Sequence, residues 1–192
     1  MNVQRGVLAG ILISIGGFAF LQSESRVVGA FLFSIGLIGV VLFECSLYTG
    51  RVGYWQCKKD AASLAFIFLK NVVGTALCGL ALRGAVGEQA AALMAAKLAM
   101  PLGESFVRAV FCGIMIYIGV DLYKLKSSLF LLVLPVMVFI LCGMEHSVAN
   151  AFYLFAAGTY TLRAVLFILV CVAGNAVGSL AIRFLKTSRK LL

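Results

Sequence analysis

Charged side chains are scarce in this sequence of 192 residues, at 12% against 63% hydrophobic residues. A soluble domain of this length needs a polar surface, which this composition cannot supply. The uncharged residues also form long runs, namely Gly6–Ser23, Val27–Phe43, Asn71–Leu82, Ser127–Met144, Ser147–Leu162 and Ala164–Ile182. A helix needs roughly 20 apolar residues to cross a bilayer, with about 17 as the lower limit. The sequence therefore predicts an all-α integral membrane protein of six transmembrane helices, with no room for a soluble catalytic domain.

The sequence also lacks the motifs of common enzymes. It has no glycine loop followed by a lysine for phosphate, no histidine pair for a metal, and no Ser/His/Asp set beyond chance. Its cysteines share no metal-ligand spacing and lie mostly in or beside apolar runs, so we interpret them as small hydrophobic residues; they are Cys45, Cys57, Cys78, Cys112, Cys142 and Cys171. We therefore expect no enzymatic activity, no cofactor and no metal.

Acidic residues are few, with seven Asp and Glu against 16 Lys and Arg, which gives a formal net charge of +9. The basic residues form no basic face and are not interleaved with aromatic residues, so we exclude nucleic acid as a partner. If both termini are cytoplasmic, Arg26, Arg83 and Arg163 lie outside and ten basic residues lie inside. These ten are Arg5, Arg51, Lys58, Lys59, Lys124, Lys126, Arg183, Lys186, Arg189 and Lys190. The positive-inside rule thus predicts a multi-pass protein of the cell (inner) membrane with both termini cytoplasmic.

The N-terminus allows a second interpretation. Arg5 followed by the apolar Gly6–Leu21 also has the form of a signal peptide. Its removal would leave an odd number of spans and place one terminus outside. The basic tail Arg183–Lys190 favours a cytoplasmic C-terminus, so we interpret the first segment as a true span.

Two of the predicted spans, the second and the fifth, are interrupted by residues that suit a helix poorly. The first interruption follows Glu44 and contains Leu47-Tyr48-Thr49-Gly50. The second, Gly143–His146, divides a stretch of 36 residues without basic side chains, which is too long for one span and too short for two with a loop. Backbone leaves a helix at membrane depth only where it is buried or lines a cavity. Residues 83–104 are predicted to form an outer loop with a short helix, Gln89–Met100.

A short internal repeat connects the two halves of the chain. Asn71-Val72-Val73-Gly74-Thr75 in the third span recurs as Asn175-Ala176-Val177-Gly178-Ser179 in the sixth. Three crossings reverse the polarity, so two three-span halves, about residues 5–82 and 105–186, are inverted relative to each other. Paired interrupted helices in an inverted repeat indicate a binding site between the halves of a single transmembrane domain covering residues 1–192. We expect the two asparagines to tie the interrupted backbone to its neighbours rather than to bind substrate.

Several polar residues in apolar surroundings each have more than one interpretation. His146, the only histidine, titrates near physiological pH when unperturbed, so it either exchanges a proton or only hydrogen-bonds two helices. Lys97 is either functional or a lysine that snorkels to the surface. Glu145 either acts in transport, accepts hydrogen bonds from the exposed amides of the interruption, or pairs with a cation. Lys70 either snorkels or neutralises an acid such as Glu44, and the sequence does not decide between these.

The segment Gly143-Met144-Glu145-His146-Ser147-Val148-Ala149-Asn150 resembles the Gly-x-Glu-His-Ser-(Ile/Val)-Ala-Asn signature of the formate/nitrite transporter family. Further matches follow in the expected order, at Leu47-Tyr48-Thr49-Gly50, Glu104-Ser105-Phe106-Val107-Arg108, Leu134-Pro135-Val136 and Gly174-Asn175-Ala176-Val177-Gly178. The resemblance covers roughly residues 6–186. It implies an aquaporin-like fold of six spans with broken second and fifth helices, assembled as a homopentamer with a pore in each subunit.

The resemblance also implies functional residues. Thr49 and His146 are expected near the middle of the pore, and Lys97 is expected to attract the anion. The implied constriction residues are Phe33, Leu37, Leu47, Tyr48 and Phe139, and the implied structural polar residues are Glu145, Asn71, Asn175 and Asn150. The sequence departs from the family at Gly113, where the family has Asn, and at Lys70, where it usually has Gly. Ser46 replaces an acidic residue.

Taken with the resemblance, the sequence predicts a channel or transporter for small monovalent anions of weak acids, such as formate, nitrite or hydrosulfide. An unpaired charge in apolar surroundings carries a large desolvation penalty. Lys97 would therefore concentrate the anion, and His146 would donate a proton directly or through water, so that the neutral acid passes the constrictions. The predicted partners are this anion or its conjugate acid and the lipid bilayer. Two other classes stay open, a neutral-solute pore with a structural histidine and a membrane anchor that transports nothing.

Overall fold

The computed structural model describes residues 3–56 and 58–188, and this part of the chain contains helices and no strand. The helices are α1 (Val3–Gln22), α2 (Arg26–Leu42), α3 (Tyr48–Arg51), α4 (Lys58–Ala81), α5 (Arg83–Ala99), α6 (Leu102–Lys126), α7 (Leu129–Leu141), α8 (Ser147–Ala157) and α9 (Leu162–Ser188). A 3-10 turn, Val52–Tyr54, follows α3. The prediction of an all-α chain is confirmed. Cys57, Arg189 and Lys190, which the sequence analysis used, lie outside the described residues.

Four helices are long and apolar enough to cross a membrane, by length and composition. They are α1, α6, residues 61–81 of α4 and residues 162–186 of α9. Each has at least 20 residues, so each spans about 30 Å or more at 1.5 Å per residue. Their outward surfaces carry large exposed apolar side chains, such as Phe66, Leu77, Phe111 and Leu169. Such an apolar exterior suits contact with lipid rather than with water.

Two further helices stop and are followed, after a short irregular segment, by a shorter helix. α2 ends at Leu42 before α3, and α7 ends at Leu141 before α8. Both irregular segments contain one residue with left-handed backbone, Glu44 (φ 51°) in the first and Gly143 (φ 63°) in the second. The two halves therefore turn the chain at corresponding places.

Close approach of backbones joins α1 to α4 and α6 to α9. A Cβ atom on Gly10 of α1 would lie 2.1 Å from the carbonyl oxygen of Asn71 in α4. A Cβ atom on Gly178 of α9 would lie 1.9 Å from the carbonyl oxygen of Val110 in α6. Only glycine fits at such distances, as is usual where helices associate within membranes. Both contacts bring an asparagine of the sequence repeat close to the neighbouring helix.

The segment 83–104 differs from its prediction as an outer loop with a short helix. In the structure α5 fills most of it, from Arg83 to Ala99. Its alanines favour helix, and Val86, Ala90 and Met94 form a buried stripe at four-residue spacing that packs against α8. The helix ends before Pro101, which begins the approach to α6. Because α5 is a packed helix, it holds Lys97 at a defined position.

We call the side of the molecule on which α6 and α9 end the C-terminal face. The ends of these helices are joined there by an ion pair between Lys186 and Asp121. Arg183 of α9 also donates hydrogen bonds to the carbonyl oxygens of Gly53 (3.2 Å) and Trp55 (2.8 Å). The segment that follows α3 is thereby fixed to the same face.

Candidate functional site

The two interrupted segments, the chain from Phe43 through α3 and the chain from Cys142 to His146, meet at Thr49 and His146. Thr49 Oγ1 lies 2.8 Å from His146 Nε2, although the residues are 97 positions apart in the chain. Their relative exposures are 1% and 2%, so the hydrogen bond is shielded from solvent. The structure thus brings together the two residues that the family resemblance placed near the middle of a pore.

The position of the His146 proton follows from its second hydrogen bond. His146 precedes α8, and its Nδ1 atom accepts the backbone N–H of Ala149 at 3.0 Å. A ring nitrogen that accepts a hydrogen bond carries no proton, so the neutral imidazole has its proton on Nε2. Nε2–H then donates to Thr49 Oγ1, which leaves the threonine hydroxyl hydrogen free to donate elsewhere. Protonation of Nδ1 would break the cap of α8.

Aromatic and aliphatic side chains enclose this pair. The ring of Phe139 stacks on the His146 ring at a centroid distance of 5.7 Å and an angle of 20°. Phe33 meets Phe139 edge to face, also at 5.7 Å. Leu37 and Leu47, both buried, line a cavity of about 300 Å³ on the side toward the C-terminal face. The polar pair therefore lies in apolar surroundings, where an unsolvated anion would be costly.

Tyr48 is also buried, but its side chain is held by other helices. Its hydroxyl donates to the carbonyl oxygen of Val172 in α9 at 3.1 Å. Its ring packs edge to face on Phe68 of α4, at 5.5 Å between centroids. These contacts anchor α3 between α4 and α9. The constriction role that the resemblance implies for Tyr48 stays a prediction.

Lys97 and Glu145 form a buried ion pair. Lys97 Nζ lies 2.5 Å from Glu145 Oε2, and the side chains are 13% and 1% exposed. Asn150 Nδ2 donates to the same carboxylate oxygen at 2.7 Å. Lys97 therefore does not snorkel to the surface, and its charge is balanced beside it. A buried pair of this kind is retained because removing one partner leaves the other charge uncompensated.

Asn71 of α4 makes three hydrogen bonds, two to the first interrupted segment and one to α1. Its Oδ1 accepts the backbone N–H of Tyr48 at 2.8 Å. Its Nδ2 donates to the carbonyl oxygens of Gly6 at 2.9 Å and Ser46 at 2.8 Å. The side chain thus supplies the partners that the irregular backbone lacks.

Asn175 of α9 binds the second interrupted segment in the same way. Its Oδ1 accepts the backbone N–H of Ser147 at 3.0 Å. Its Nδ2 donates to the carbonyl oxygens of Ala109 and Glu145, both at 2.8 Å. Glu145 and His146 are therefore positioned by an amide from another helix.

At position 113 this chain has Gly where the family resemblance implies Asn, and the structure gives a physical reason. A Cβ atom there would lie 2.2 Å from the carbonyl oxygen of Asn175, so no larger residue fits while α6 and α9 keep this distance. Ser179 Oγ also donates to the carbonyl oxygen of Gly113 at 2.9 Å. Within the described part of the chain, the ring nitrogens of His146 contact only Thr49 and Ala149.

Lys70 and Glu44 do not pair with each other. Glu44 lies 3.5 Å from Arg5, and both of these side chains are exposed. The aliphatic part of Lys70 packs at Gly6, where an added Cβ atom would lie 2.7 Å from Lys70 Cβ. The proposed neutralisation of Glu44 by Lys70 was therefore wrong.

Sequence reasoning did not identify Arg108 as part of the site. Its guanidinium donates to the carbonyl oxygen of Gly143 at 3.2 Å and pairs with Glu104 at 2.7 Å. Its carbonyl oxygen accepts the N–H of Glu145 at 3.4 Å. The four-residue spacing of Glu104 and Arg108 predicts their ion pair but not the contact with Gly143, which requires α6 to lie beside the second interruption.

The helices and the buried polar core define a multi-pass membrane protein. The profile of the formate/nitrite transporter family matches residues 2–187, so the chain belongs to this family and the resemblance seen in its motifs is confirmed. It is 26% identical to the uncharacterized transporter YrhG of Bacillus subtilis (strain 168), over 81% of this chain and 71% of that protein. It is 28% identical to the formate channel FocA of Escherichia coli (strain K12), over 76% of this chain and 62% of that protein. The chain thus spans less than two thirds of the length of FocA.

Solved structures share the fold. An FNT family ion channel superposes with a TM-score of 0.88 at 19% identity, over 98% of this chain and 89% of that one. A pentameric formate channel with formate bound superposes with a TM-score of 0.82 at 21% identity, over 98% of this chain and 95% of that one. At these identities the superpositions establish the fold, and the transport roles of individual residues stay predictions.

Proposed function

We propose that this chain is a membrane channel or transporter for small monovalent anions of weak acids, of the formate, nitrite or hydrosulfide type. The observation that carries the proposal is the buried Thr49–His146 hydrogen bond, which lies between two interrupted helices in an apolar enclosure. Membership of the formate/nitrite transporter family and the similarity to formate channel FocA support it.

The proposed architecture has six spans in a single transmembrane domain. Four are the long apolar helices, and the other two are α2 with α3 and α7 with α8, each broken at its irregular segment. The matched hydrogen bonds of Asn71 and Asn175 support two inverted repeats, about residues 5–82 and 105–186. Similarity to a pentameric formate channel supports a homopentamer in the lipid bilayer. The distribution of basic residues supports an inner-membrane location with cytoplasmic termini.

The first step of the proposed mechanism is attraction of the anion at the mouth near Lys97. Because Glu145 balances the charge of Lys97, the pair acts mainly through its remaining ammonium hydrogens rather than as a bare cation. An ammonium group has three donors, and the carboxylate uses one of them at 2.5 Å. The attraction is therefore short-ranged and suits a small anion that must leave again.

The second step is passage of the neutral acid past the apolar side chains. The anion gains a proton near His146, where apolar surroundings favour the neutral acid over its conjugate base. In the observed geometry His146 donates through Nε2 to Thr49, and the Thr49 hydroxyl donates to the substrate oxygen. Loss of Nε2–H from a neutral ring would create an imidazolate. The proton therefore comes from hydronium in the outside solution, which becomes water, while the Thr49–His146 pair orients the acid.

The test is uptake of formate, nitrite and hydrosulfide into liposomes that contain the purified protein, over a series of pH values. We expect saturable uptake that rises as the outside pH falls, because the fraction of neutral acid rises. We expect His146→Asn to lose most of the uptake, since Asn can cap α8 but does not reproduce the ring contacts and donor of His146. Uptake that ignores pH and survives His146→Asn would contradict the mechanism.

A second candidate is a pore for neutral solutes such as water, ammonia or undissociated small acids. It is favoured by charge balance at the site, because Lys97 is paired with Glu145 and the His146 ring is neutral when it caps α8. In this case water would also cross, its flux would be independent of pH, and His146 would have only a structural role. Water permeability and saturable formate uptake, each measured in wild type and His146→Asn, separate the two candidates.

A further inference from the structure

A cavity of about 300 Å³ opens at the C-terminal face, between α2, α3 and α6. Because a water molecule occupies roughly 30 Å³ in the liquid, the cavity holds a small anion with part of its hydration shell. Two basic side chains, Arg51 and Lys124, stand on its wall. The proposed mechanism uses neither of them.

Arg51 and Lys124 are not paired with any described carboxylate. Among the side chains that the structure describes, those of residues 3–56 and 61–186, neither belongs to an ion pair. Lys124 Nζ lies 3.5 Å from the centre of the Tyr54 ring, a contact that holds a cation but leaves its charge in place. The cavity wall therefore carries two positive charges that can act on an anion.

The acidic groups near the cavity already have partners. Glu44 also lines the wall, but it lies 3.5 Å from Arg5. Asp121, one turn before Lys124 in α6, is paired with Lys186. The cavity and its surroundings are thus net positive, in contrast to Lys97, whose charge Glu145 balances.

The cavity reaches the residues that flank the candidate site. Leu47 and Gly50 both line it, and Thr49 lies between them in the chain. Leu37, predicted as a constriction residue, lines the same cavity. The cavity wall therefore includes residues on both sides of Thr49 in the chain.

We propose that this cavity is a second binding site for a small monovalent anion, held by Arg51 and Lys124. This inference rests on the proposed function. Lys124 lies near the end of α6, whereas Lys97 precedes its beginning, so the two sites lie toward opposite ends of a helix about 37 Å long. The channel therefore loads anions from both faces, and the C-terminal face has the stronger attraction because its cations are unpaired.

The experiment measures formate flux in each direction in liposomes in which the orientation of the protein is known. One double variant, Arg51→Gln with Lys124→Gln, removes both charges, and a second, the conservative pair Arg51→Lys with Lys124→Arg, keeps them. The control is Lys126→Gln, because Lys126 is exposed near the end of α6 but does not line the cavity. For the double glutamine variant we expect the half-saturating formate concentration at the C-terminal face to rise about tenfold at low salt, with less than a twofold change at the other face.

The same flux measurements at high salt, and in the variant that keeps both positive charges, give two further tests. At about 1 M salt the Debye length falls to roughly 3 Å, so the difference between wild type and the double glutamine variant should fade. The conservative pair should behave like wild type, which separates charge from packing. If wild type carries formate and the double glutamine variant matches the control, this binding site is refuted and the proposed function stands. If wild type carries none of the tested anions, the proposed function fails and this site fails with it.

Discussion

Gly113→Ala tests whether close contact between α6 and α9 holds the site in place. The added Cβ atom would lie 2.2 Å from the carbonyl oxygen of Asn175, whereas ordinary contacts begin near 3.4 Å. The helices must therefore separate locally by about 1 Å, because both atoms belong to or adjoin rigid backbone. The same movement would lengthen the hydrogen bonds from Ser179 to Gly113 (2.9 Å) and from Asn175 to Ala109 (2.8 Å) beyond useful range.

The magnitude follows from these contacts. Overpacking of this kind costs about 1–3 kcal/mol, and each lost hydrogen bond adds about 1 kcal/mol. A total of about 3–5 kcal/mol would lower the midpoint of thermal unfolding in detergent by roughly 6–20 °C. Uptake should fall as well, since Asn175 positions the backbone of Glu145 and Ser147 on either side of His146. Gly113→Asn, which introduces the residue implied by the family resemblance, should be at least as harmful.

Gly103→Ala is the matched control because it lies in the same helix. A Cβ atom on Gly103 meets nothing within 4 Å, so this variant should keep wild-type uptake and gain up to about 1 kcal/mol of helix propensity. The assay is thermal unfolding of the purified proteins followed by anion uptake in liposomes. If Gly113→Ala unfolds at the same temperature as Gly103→Ala and transports normally, the close-contact argument is wrong.

Two further substitutions test the site itself. Thr49→Val should remove most anion uptake and cost about 1–3 kcal/mol of stability, because His146 Nε2–H loses its buried acceptor. The control, Thr159→Val, makes the same change away from the pair and should leave uptake and unfolding temperature near wild type. Equal behaviour of the two variants would refute the role assigned to Thr49. Glu145→Gln should destabilise the protein by about 3–5 kcal/mol, because Lys97 loses its buried partner. An anion would then take the place of the carboxylate, so the half-saturating anion concentration should fall several-fold. An unchanged concentration dependence in liposome uptake would place Lys97 outside the anion pathway.

The distribution of paired and unpaired cations has a consequence for transport. Lys97 is balanced by a buried carboxylate, whereas Arg51 and Lys124 face a cavity whose one lining carboxylate, Glu44, is paired with Arg5. A lysine that binds its own carboxylate attracts an anion only at short range, and unpaired cations at a mouth raise the local anion concentration over a longer range. The two mouths are therefore expected to differ in their sensitivity to salt.

Asn71 and Asn175 show how the fold keeps irregular backbone inside an apolar protein. Each side chain binds one N–H and one carbonyl group of the backbone at an interruption and one carbonyl group of a neighbouring helix. Without these partners, each buried unsatisfied group would cost about 1–3 kcal/mol. The interruption can therefore exist only where another helix brings an amide beside it.

Local properties of the sequence were enough to predict much of this protein. Length and composition of the apolar runs predict the long helices, because crossing a bilayer requires an uncharged segment of a certain length. Interruptions at Leu47–Gly50 and Gly143–His146 were predicted because Thr, Gly and charged residues break an apolar pattern. In the structure the first irregular segment lies slightly earlier, between Leu42 and Tyr48, since Tyr48–Arg51 forms α3. The family motif then singled out Thr49 and His146, which the structure places 2.8 Å apart.

Other features depended on contacts between distant parts of the chain. The segment 83–104 was predicted as an outer loop with a short helix, Gln89–Met100, because of its glycines and proline. The helix begins six residues earlier, at Arg83, where a buried stripe packs against α8. The sequence left open whether Lys97 was a surface residue, since Glu145 lies 48 positions away and only the packing of α5 brings them together. The His146 proton position, the need for glycine at 113 and the cavity with Arg51 and Lys124 likewise arise only from tertiary packing. Composition and motifs determine which elements form and which residues carry chemistry, whereas the partner of each buried polar group is decided by which helices lie side by side.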